Sequence, residues 1–310
     1  MKKLTANDLR GKIIDVHTHS AGIVMSNLAG AHYPTTQNLA DLSDIIRAHG
    51  IDYAVTFPMP SPVYFGDRAC WLDDAYRPSG LSDFPYQYEN RYLLEMVDHF
   101  HLSNVLPFLS FSTRDRVDEQ LQTLRDLCAA HPVYGLKYHT TTDNGSVETP
   151  AFGRFAAFAE ENDLPIMVHT ALKEPAGPEH VLSLALQRPR LRVCAAHCAR
   201  LYAPFFRRLD GEGGRFPNVF LDLAPLHRLC LASQGGQELL KLDYADPLAV
   251  MRAMCERYGE RVMWGTDLPW HRYALPSGQV IAYRDEVRTL RESGAAERLS
   301  ANAARFLFGA

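Results

Sequence analysis

The sequence predicts an α/β fold built as a single (β/α)₈ TIM barrel over residues 1–310, with insertions in its strand-to-helix loops. Three observations predict it. Eight short apolar runs recur along the chain, and helical patterns fill the intervals between them. Several runs, among them "AVTF", "PIMVH" and "NVFLDL", are almost continuously apolar, as parallel strands covered on both faces must be. The third is length: 310 residues accommodate eight strand–helix units with room for long loops. An open, doubly wound sheet is the competing architecture. The stretch "GEGG" at Gly211–Gly214 lends it no phosphate loop, because no strand precedes it and no helix follows.

In chain order, strands are expected at Ile13–His17, Tyr53–Phe57, Val105–Phe111, Val133–Tyr138, Pro165–His169, Arg192–His197, Val219–Leu223 and Arg261–Thr266. Helices are expected in "RVDEQLQTLRDLCAAHPVYGLKYH" and "TPAFGRFAAFAEENDLPIMVHT", each ahead of the strand that closes the segment. The clearest lies in "DYADPLAVMRAMCERYGERVMWG": Asp246 can cap it, Pro247 suits its first turn, and Gly259 suits its end. Three strand-to-helix connections hold the extra length: Ser20–Thr36, Pro58–Tyr88 and Pro225–Asp246. In a barrel such connections emerge at the catalytic face. The second, rich in Pro, Asp and aromatic residues, is expected to form a lid or substrate wall, or to pack on another copy of the chain in a homo-oligomer.

Composition narrows the function. Hydrophobic residues make up 46% and charged residues 22%, enough apolar material for a sizeable core. A formal charge of −4 gives nucleic acid and anionic membranes nothing to bind. No apolar run reaches the length of a membrane span, and "MKKLTANDLRGK" lacks the apolar segment of a secretion signal, so a cytoplasmic protein is expected. Six cysteines are scattered with no CxxC pair and read as free, buried thiols. Simple strand alternation sends Cys194 and His197 to opposite faces, which argues against a joint Cys/His metal site.

The polar residues at strand ends carry the chemistry. "DVHTHS" ends the first strand with His17 and His19, two residues apart and hence on one face. The fourth strand carries Lys137 and His139 in "YGLKYHT", the fifth ends in His169, the sixth in His197, and the eighth in Asp267 within "VMWGTDLPW". Singly, each has an ordinary explanation: a rim histidine, a snorkelling lysine, a capping aspartate. A barrel, however, brings all its strand ends to one rim. Imidazoles and a carboxylate converging there are the ligand set of a borderline divalent cation such as zinc.

His17-x-His19, Lys137, His169, His197 and Asp267, in that order, resemble the amidohydrolase superfamily of metal-dependent hydrolases. The opening "DVHTHS", "WGTDLPW" and the closing "NAARFLFG" at Asn302–Gly309 resemble its branch of small barrels, which includes aminocarboxymuconate semialdehyde decarboxylase and lactone-cleaving enzymes. The resemblance runs from Asp15 to Gly309.

It implies that His17, His19, His169 and Asp267 hold one divalent metal, with zinc expected, while His197 stays free as acid/base or electrophile. In the two-metal variant a carboxylated Lys137 bridges, and His169 with His197 hold the second ion. His139 shares the face of Lys137 and leaves both variants open, the single metal being the expectation. Asp267 would take the proton of the attacking water and His197 would hold the developing oxyanion. That mechanism hydrolyses an ester, lactone or amide of a small, carboxylate-bearing substrate. Decarboxylation in the same pocket is the main alternative, and a barrel with dead chemistry a third reading. Arg200 is a candidate for a substrate carboxylate, with Tyr138, Trp270 and His271 as further pocket residues.

Overall fold

The computed structural model describes residues 3–20, 39–58, 82–212, 214–233, 238–270 and 281–309. Eight parallel strands pair in sequence order from β1 to β8: Ile14–Ser20, Tyr53–Pro58, Val105–Phe111, Gly135–Tyr138, Ile166–Val168, Val193–Ala195, Val219–Asp222 and Val262–Met263. The last strand returns to the first. Val16 N–H donates to the Trp264 carbonyl (3.1 Å), Asp267 N–H to the His17 carbonyl (2.7 Å) and His19 N–H to the Leu268 carbonyl (2.7 Å). The sheet is therefore wound into the (β/α)₈ barrel rather than left open.

All eight expected strands form, most of them shorter than the apolar runs. His169, His197 and Asp267 lie past the ends of their strands, in the connections that present them, whereas His17, His19 and Lys137 stay within theirs. The expected helices form as well: α1 Val117–Ala130, α2 Pro150–Glu161 and α3 Pro247–Tyr258. Thr149 caps α2 by accepting from Phe152 N–H at 3.2 Å, and Asp246 caps α3 by accepting from Leu248 N–H at 2.9 Å. Gly259 does end α3, with an ordinary helical φ of −59° rather than a left-handed one. Its carbonyl and that of Val262 instead receive Asn302 Nδ2, each at 2.7 Å. The "NAARFLFG" segment thus serves structure: it lies on α4 (Ala296–Phe308), whose Ala303, Phe306 and Leu307 join Leu9 at the interior cluster.

Two apolar layers hold the molecule. One lies between the strands and the outer helices. The other fills the barrel, from Ile14, Val16, Val55 and Phe57 through Leu106, Phe108, Met167, Cys194, Phe220 and Met263. Gly135 belongs to this inner fit, since a Cβ there would stand 2.4 Å from the Phe108 ring. The connection residues 21–36, most of the insertion at 58–88, and His271 lie outside the described residues, as does Cys70. The other five cysteines are free thiols. Among the described residues no helix is long and apolar enough to cross a membrane.

Candidate metal centre

β1 builds the first wall through an irregularity. Asp15 pairs with Ala54 and Thr18 with Thr56, so β1 spends one residue more than β2 over the same interval. Such a bulge re-aims side chains. Ile14 and Val16 join the inner apolar layer, and after the bulge His17 and His19 face the lumen too, edge-on to Phe57 at centroid separations of 4.9 and 4.5 Å. Asp15 is turned the other way and fastens the seam. Its carboxylate accepts from His17 N–H (3.2 Å), Thr266 N–H (3.0 Å), Thr266 Oγ1–H (2.7 Å) and the Tyr283 hydroxyl (3.1 Å). Burial pushes this carboxyl up to about 6 against those four donors.

Across the seam, Asp267 is held in the left-handed region, φ +57°, a conformation aspartate tolerates better than most residues. Gly265 permits the approach: a Cβ there would stand 2.8 Å from His17 Cβ and 3.1 Å from Ala224 Cβ. Asp267 Oδ1 consequently lies 3.3 Å from His17 Nε2 and 3.1 Å from His19 Nε2. No hydrogen bond satisfies His17 Nε2 or Asp267 Oδ1, which are buried without a partner.

Asp222 explains why. At the end of β7 its Oδ2 accepts from His17 Nδ1–H at 2.9 Å, which leaves Nε2 as a lone pair. A lone pair and a carboxylate oxygen then face each other 3.3 Å apart in a dry pocket, an arrangement that calls for a cation between them. The titration behaviour agrees. Burial and Lys137 push His17 down, yet the charges of Asp222 and Asp267 win and its pKa is raised. Burial is also the largest influence on Asp267 and pushes it up, but His17 and His19 outweigh it and hold the carboxylate well below its usual range. His17, His19 and Asp267 therefore fit a divalent metal, their ligand atoms all within 4.8 Å of one another. A second trio, His17, His197 and Asp222, meets the same distance, but hydrogen bonds within it already satisfy the carboxylate.

His197 is positioned by an unusual turn. From His197 to Leu201 five successive residues have φ between +49° and +58°, each in a region costly for L-residues. Asp222 Oδ1 accepts from His197 N–H (2.8 Å), Ala196 carbonyl accepts from Thr170 Oγ1–H (2.6 Å), and Leu201 carbonyl accepts from Leu240 N–H (2.9 Å). His197 Nδ1–H donates to the Ala224 carbonyl at 2.5 Å, so Nε2 is an acceptor and takes His169 Nδ1–H at 3.0 Å. Burial lowers His197 to about 3 and leaves it neutral. His169 in turn stacks on His139, rings 4.1 Å apart, and belongs to neither trio of ligand atoms.

Lys137 is buried, with Nζ unpartnered 4.4 Å from the centre of the Phe57 ring. Burial lowers it to about 8 while Asp222 and Asp267 pull the other way. Trp270 stands edge-on to His19 with ring centres 6.5 Å apart.

Two sequence expectations need correction. Tyr138 does not line the pocket: one residue from Lys137 on a strand, it points outward, stacks on Phe111, meets Phe152 edge-on, and shares its hydroxyl with Thr113 and Asp143. Cys194 and His197 do not point apart, because the left-handed turn breaks the alternation after Ala195. Cys194 Sγ lies 3.7 Å from the Asp222 carboxylate that also receives His197 N–H. Asp222, Asp15 and Gly265 are the positions that sequence reasoning left without a role. Asp222 alone carried a signal, a carboxylate ending the apolar run "VFLD".

Comparisons with known proteins bear on the whole chain. Among curated proteins no relative matches. Solved structures do. A protein named as a probable 2-pyrone-4,6-dicarboxylic acid hydrolase from Acinetobacter baumannii, with citric acid bound, shares 16% identity, covers 96% of this chain and all of its own (100%), and superposes with a TM-score of 0.57. A 5-carboxyvanillate decarboxylase from Novosphingobium aromaticivorans, complexed with manganese and 4-hydroxy-3-methoxy-5-nitrobenzoic acid, shares 14% identity over 99% of this chain and 98% of its own, with a TM-score of 0.63. An uncharacterised TIM-barrel protein from Bordetella bronchiseptica shares 18% identity over 95% and 100%, with a TM-score of 0.56. At such identities these likenesses speak for the fold. The family model described as Amidohydrolase matches residues 14–309, from the first strand to the end of the last helix, and the chain belongs to that family, whose members imply an enzyme with a divalent metal.

Proposed function

We propose that this protein is a metal-dependent hydrolase that cleaves an ester, lactone or amide bond of a small, carboxylate-bearing substrate. One observation carries the reading: His17, His19 and Asp267 converge in a buried pocket, where His17 Nε2 and Asp267 Oδ1 have no hydrogen bond to satisfy them. Two imidazoles with a carboxylate suit zinc, the ion we propose, with His169 completing the set; manganese, present in the decarboxylase structure, is its competitor.

When bound, the ion supplies Lewis acidity and a water that ionises near neutral pH. The chain supplies the rest. Asp222 keeps the His17 proton on Nδ1, so Nε2 stays available. Asp267 accepts the proton of the attacking water and passes it to the leaving group. His197, neutral and fixed by the Ala224 carbonyl, accepts His169 Nδ1–H at Nε2 and so holds His169 in place; a proton taken up at that nitrogen from solvent, in exchange for this hydrogen bond, would make it the donor that meets the developing oxyanion. Lys137 adds positive charge to the pocket floor or, in the two-metal variant, the carbamate bridge.

Decarboxylation is the second reading, supported by the decarboxylase among the structural relatives. Metal content per chain, measured on wild type, Lys137→Ala and Asp267→Asn, tests the site. About one ion, kept in Lys137→Ala, supports the single-metal scheme, and about two, falling in that variant, the bridged one. No ion after chelator-free purification and none taken up on adding zinc sinks the proposal. Incorporation of heavy-oxygen water into product separates hydrolysis from the release of carbon dioxide.

A further inference from the structure

Four histidines stand in a row along the rim. Ring centres are 5.0 Å apart from His17 to His197, 4.7 Å from His197 to His169 and 4.1 Å from His169 to His139. The first three take part in the proposed chemistry; the fourth does not. After Tyr138 the chain alternates inward again, and the His139 ring lies flat on His169 with the two planes 15° apart. His139 also starts the short helix Thr140–Asp143. Its Nδ1 accepts from Thr142 N–H at 3.2 Å, with the Thr142 and Thr141 hydroxyls at 2.8 and 3.1 Å.

These contacts fix where the ring carries its hydrogen. A backbone amide can only donate, so Nδ1 must offer its lone pair, and the ring is neutral with its hydrogen on Nε2. Nε2 lies across the ring from Nδ1, so this N–H points away from the helix start. Among the described residues no acceptor takes it. The residue is partly exposed, which leaves the N–H within reach of a molecule in the pocket. Binding a metal at Nε2 would need the hydrogen moved to Nδ1, against Thr142 N–H.

We propose that His139 is a substrate-binding residue whose Nε2–H donates to an acceptor oxygen of the substrate, a carbonyl or a carboxylate, and that it is no metal ligand. The inference rests on the proposed function for the identity of the pocket. A donor with a fixed hydrogen selects by chemistry: an ammonium group placed there would meet N–H with N–H and be rejected. Arg200, in the left-handed turn that carries His197, is the other candidate for a substrate oxygen. It brings charge, whereas His139 brings a direction set by one backbone amide and one stacked ring.

The test pairs two variants. His139→Asn keeps an acceptor for Thr142 N–H and loses the reach to Nε2, whereas His139→Gln keeps a donor near Nε2 at the expense of the cap. Zinc-loaded protein is titrated calorimetrically with acetohydroxamate and with monomethyl glutarate, an ester that carries a carboxylate. His139→Asn should weaken at least one probe, by about 3- to 10-fold for a neutral oxygen and about 10- to 100-fold for a carboxylate, and His139→Gln should recover most of the loss. Heteronuclear spectra of isotope-labelled histidines in the wild type read the ring itself. His139 should show hydrogen on Nε2 and a lone pair on Nδ1, and its Nε2–H signal should move downfield as the probe binds. Hydrogen on Nδ1, an unmoved Nε2–H signal, equal affinity of wild type and His139→Asn, or no binding of either probe to metal-loaded wild type would overturn the donor role. Equal losses in both variants would overturn it too, and leave His139 as the start of its helix only. Metal content is measured on the same samples. One ion fewer in both variants would make His139 a ligand instead, whereas a wild-type protein that takes up no metal refutes the proposed function.

Discussion

The lower and upper layers of the barrel lumen are built by the same strands and obey opposite rules. Below, Val55, Leu106, Phe108, Met167, Phe220 and Met263 fill the interior with apolar atoms that ask for nothing but contact. Nearer the strand ends stand Lys137, Asp222 and, past β8, Asp267, equally buried; Asp222 has its hydrogen bonds, whereas Lys137 and Asp267 are only partly satisfied. His17 Nε2, His19 Nδ1, Lys137 Nζ and Asp267 Oδ1 all lack a hydrogen-bond partner in the upper layer. Buried polar atoms without partners are expensive, so the upper layer is stable only with something added. The difference teaches where stability is made and where it is given up for chemistry.

Substitutions in the two layers should therefore fail in different ways. Asp267→Asn is expected to lower activity by about 10²- to 10⁴-fold, the loss typical of a general acid–base group, and to weaken metal retention. Unfolding without metal should shift little, because the change also removes a buried charge; a large destabilisation there would break the comparison. Phe108→Ala should do the reverse. It empties the space that Gly135 leaves for the ring and should cost about 3–5 kcal/mol in denaturant unfolding, with metal stoichiometry retained in the molecules that remain folded. Lost metal binding at full stability would refute the division. Asp222→Asn tests the border between layers. The amide cannot accept at both oxygens, so His17 loses its fixed tautomer and His197 its backbone anchor. Metal affinity should fall by about 10- to 100-fold, read by competition with a chelator.

The lower layer was legible in the sequence because apolar periodicity reports it directly: all eight strands follow from their runs. So were the polar strand ends, since a barrel rim converts sequence order into spatial convergence. What stayed hidden depends on departures from regular geometry. The bulge in β1 lets Val16 and His17 both face inward, which strict alternation forbids. The left-handed turn brings Cys194 and His197 to one carboxylate, contrary to the expected opposition. Tyr138 was misplaced for the opposite reason: alternation does hold through β4, and being next to Lys137 excludes it from the lumen. Gly265 gave no signal, because a close approach is a property of the assembled barrel.

Glu286 sharpens the comparison at its smallest expected effect. It stands on the helix Tyr283–Ser293, outside the lumen, and is fully buried. Oε1 accepts from His227 N–H at 3.2 Å, and Oε2 has no partner. Burial raises its pKa well above the ordinary range; His227 N–H opposes, and Asp15, Asp285 and Asp267 add to the rise. This orphan is resolved by a proton rather than by a metal. The folded protein keeps that proton above the unfolded pKa, near 4.5, where the unfolded chain releases it. Stability from this group is complete below that value and declines as pH rises towards the folded pKa, by at most about 1.4 kcal/mol per pH unit. Glu286→Gln keeps the shape and cannot ionise. Its unfolding midpoint should match wild type at pH 4 and exceed it increasingly between pH 5 and pH 8, with metal content held constant. A variant less stable than wild type at pH 8, with the pH slope unchanged, would mean that Glu286 is ionised and paired in the folded protein. The demand for a cation would then extend beyond the lumen to the helix behind it.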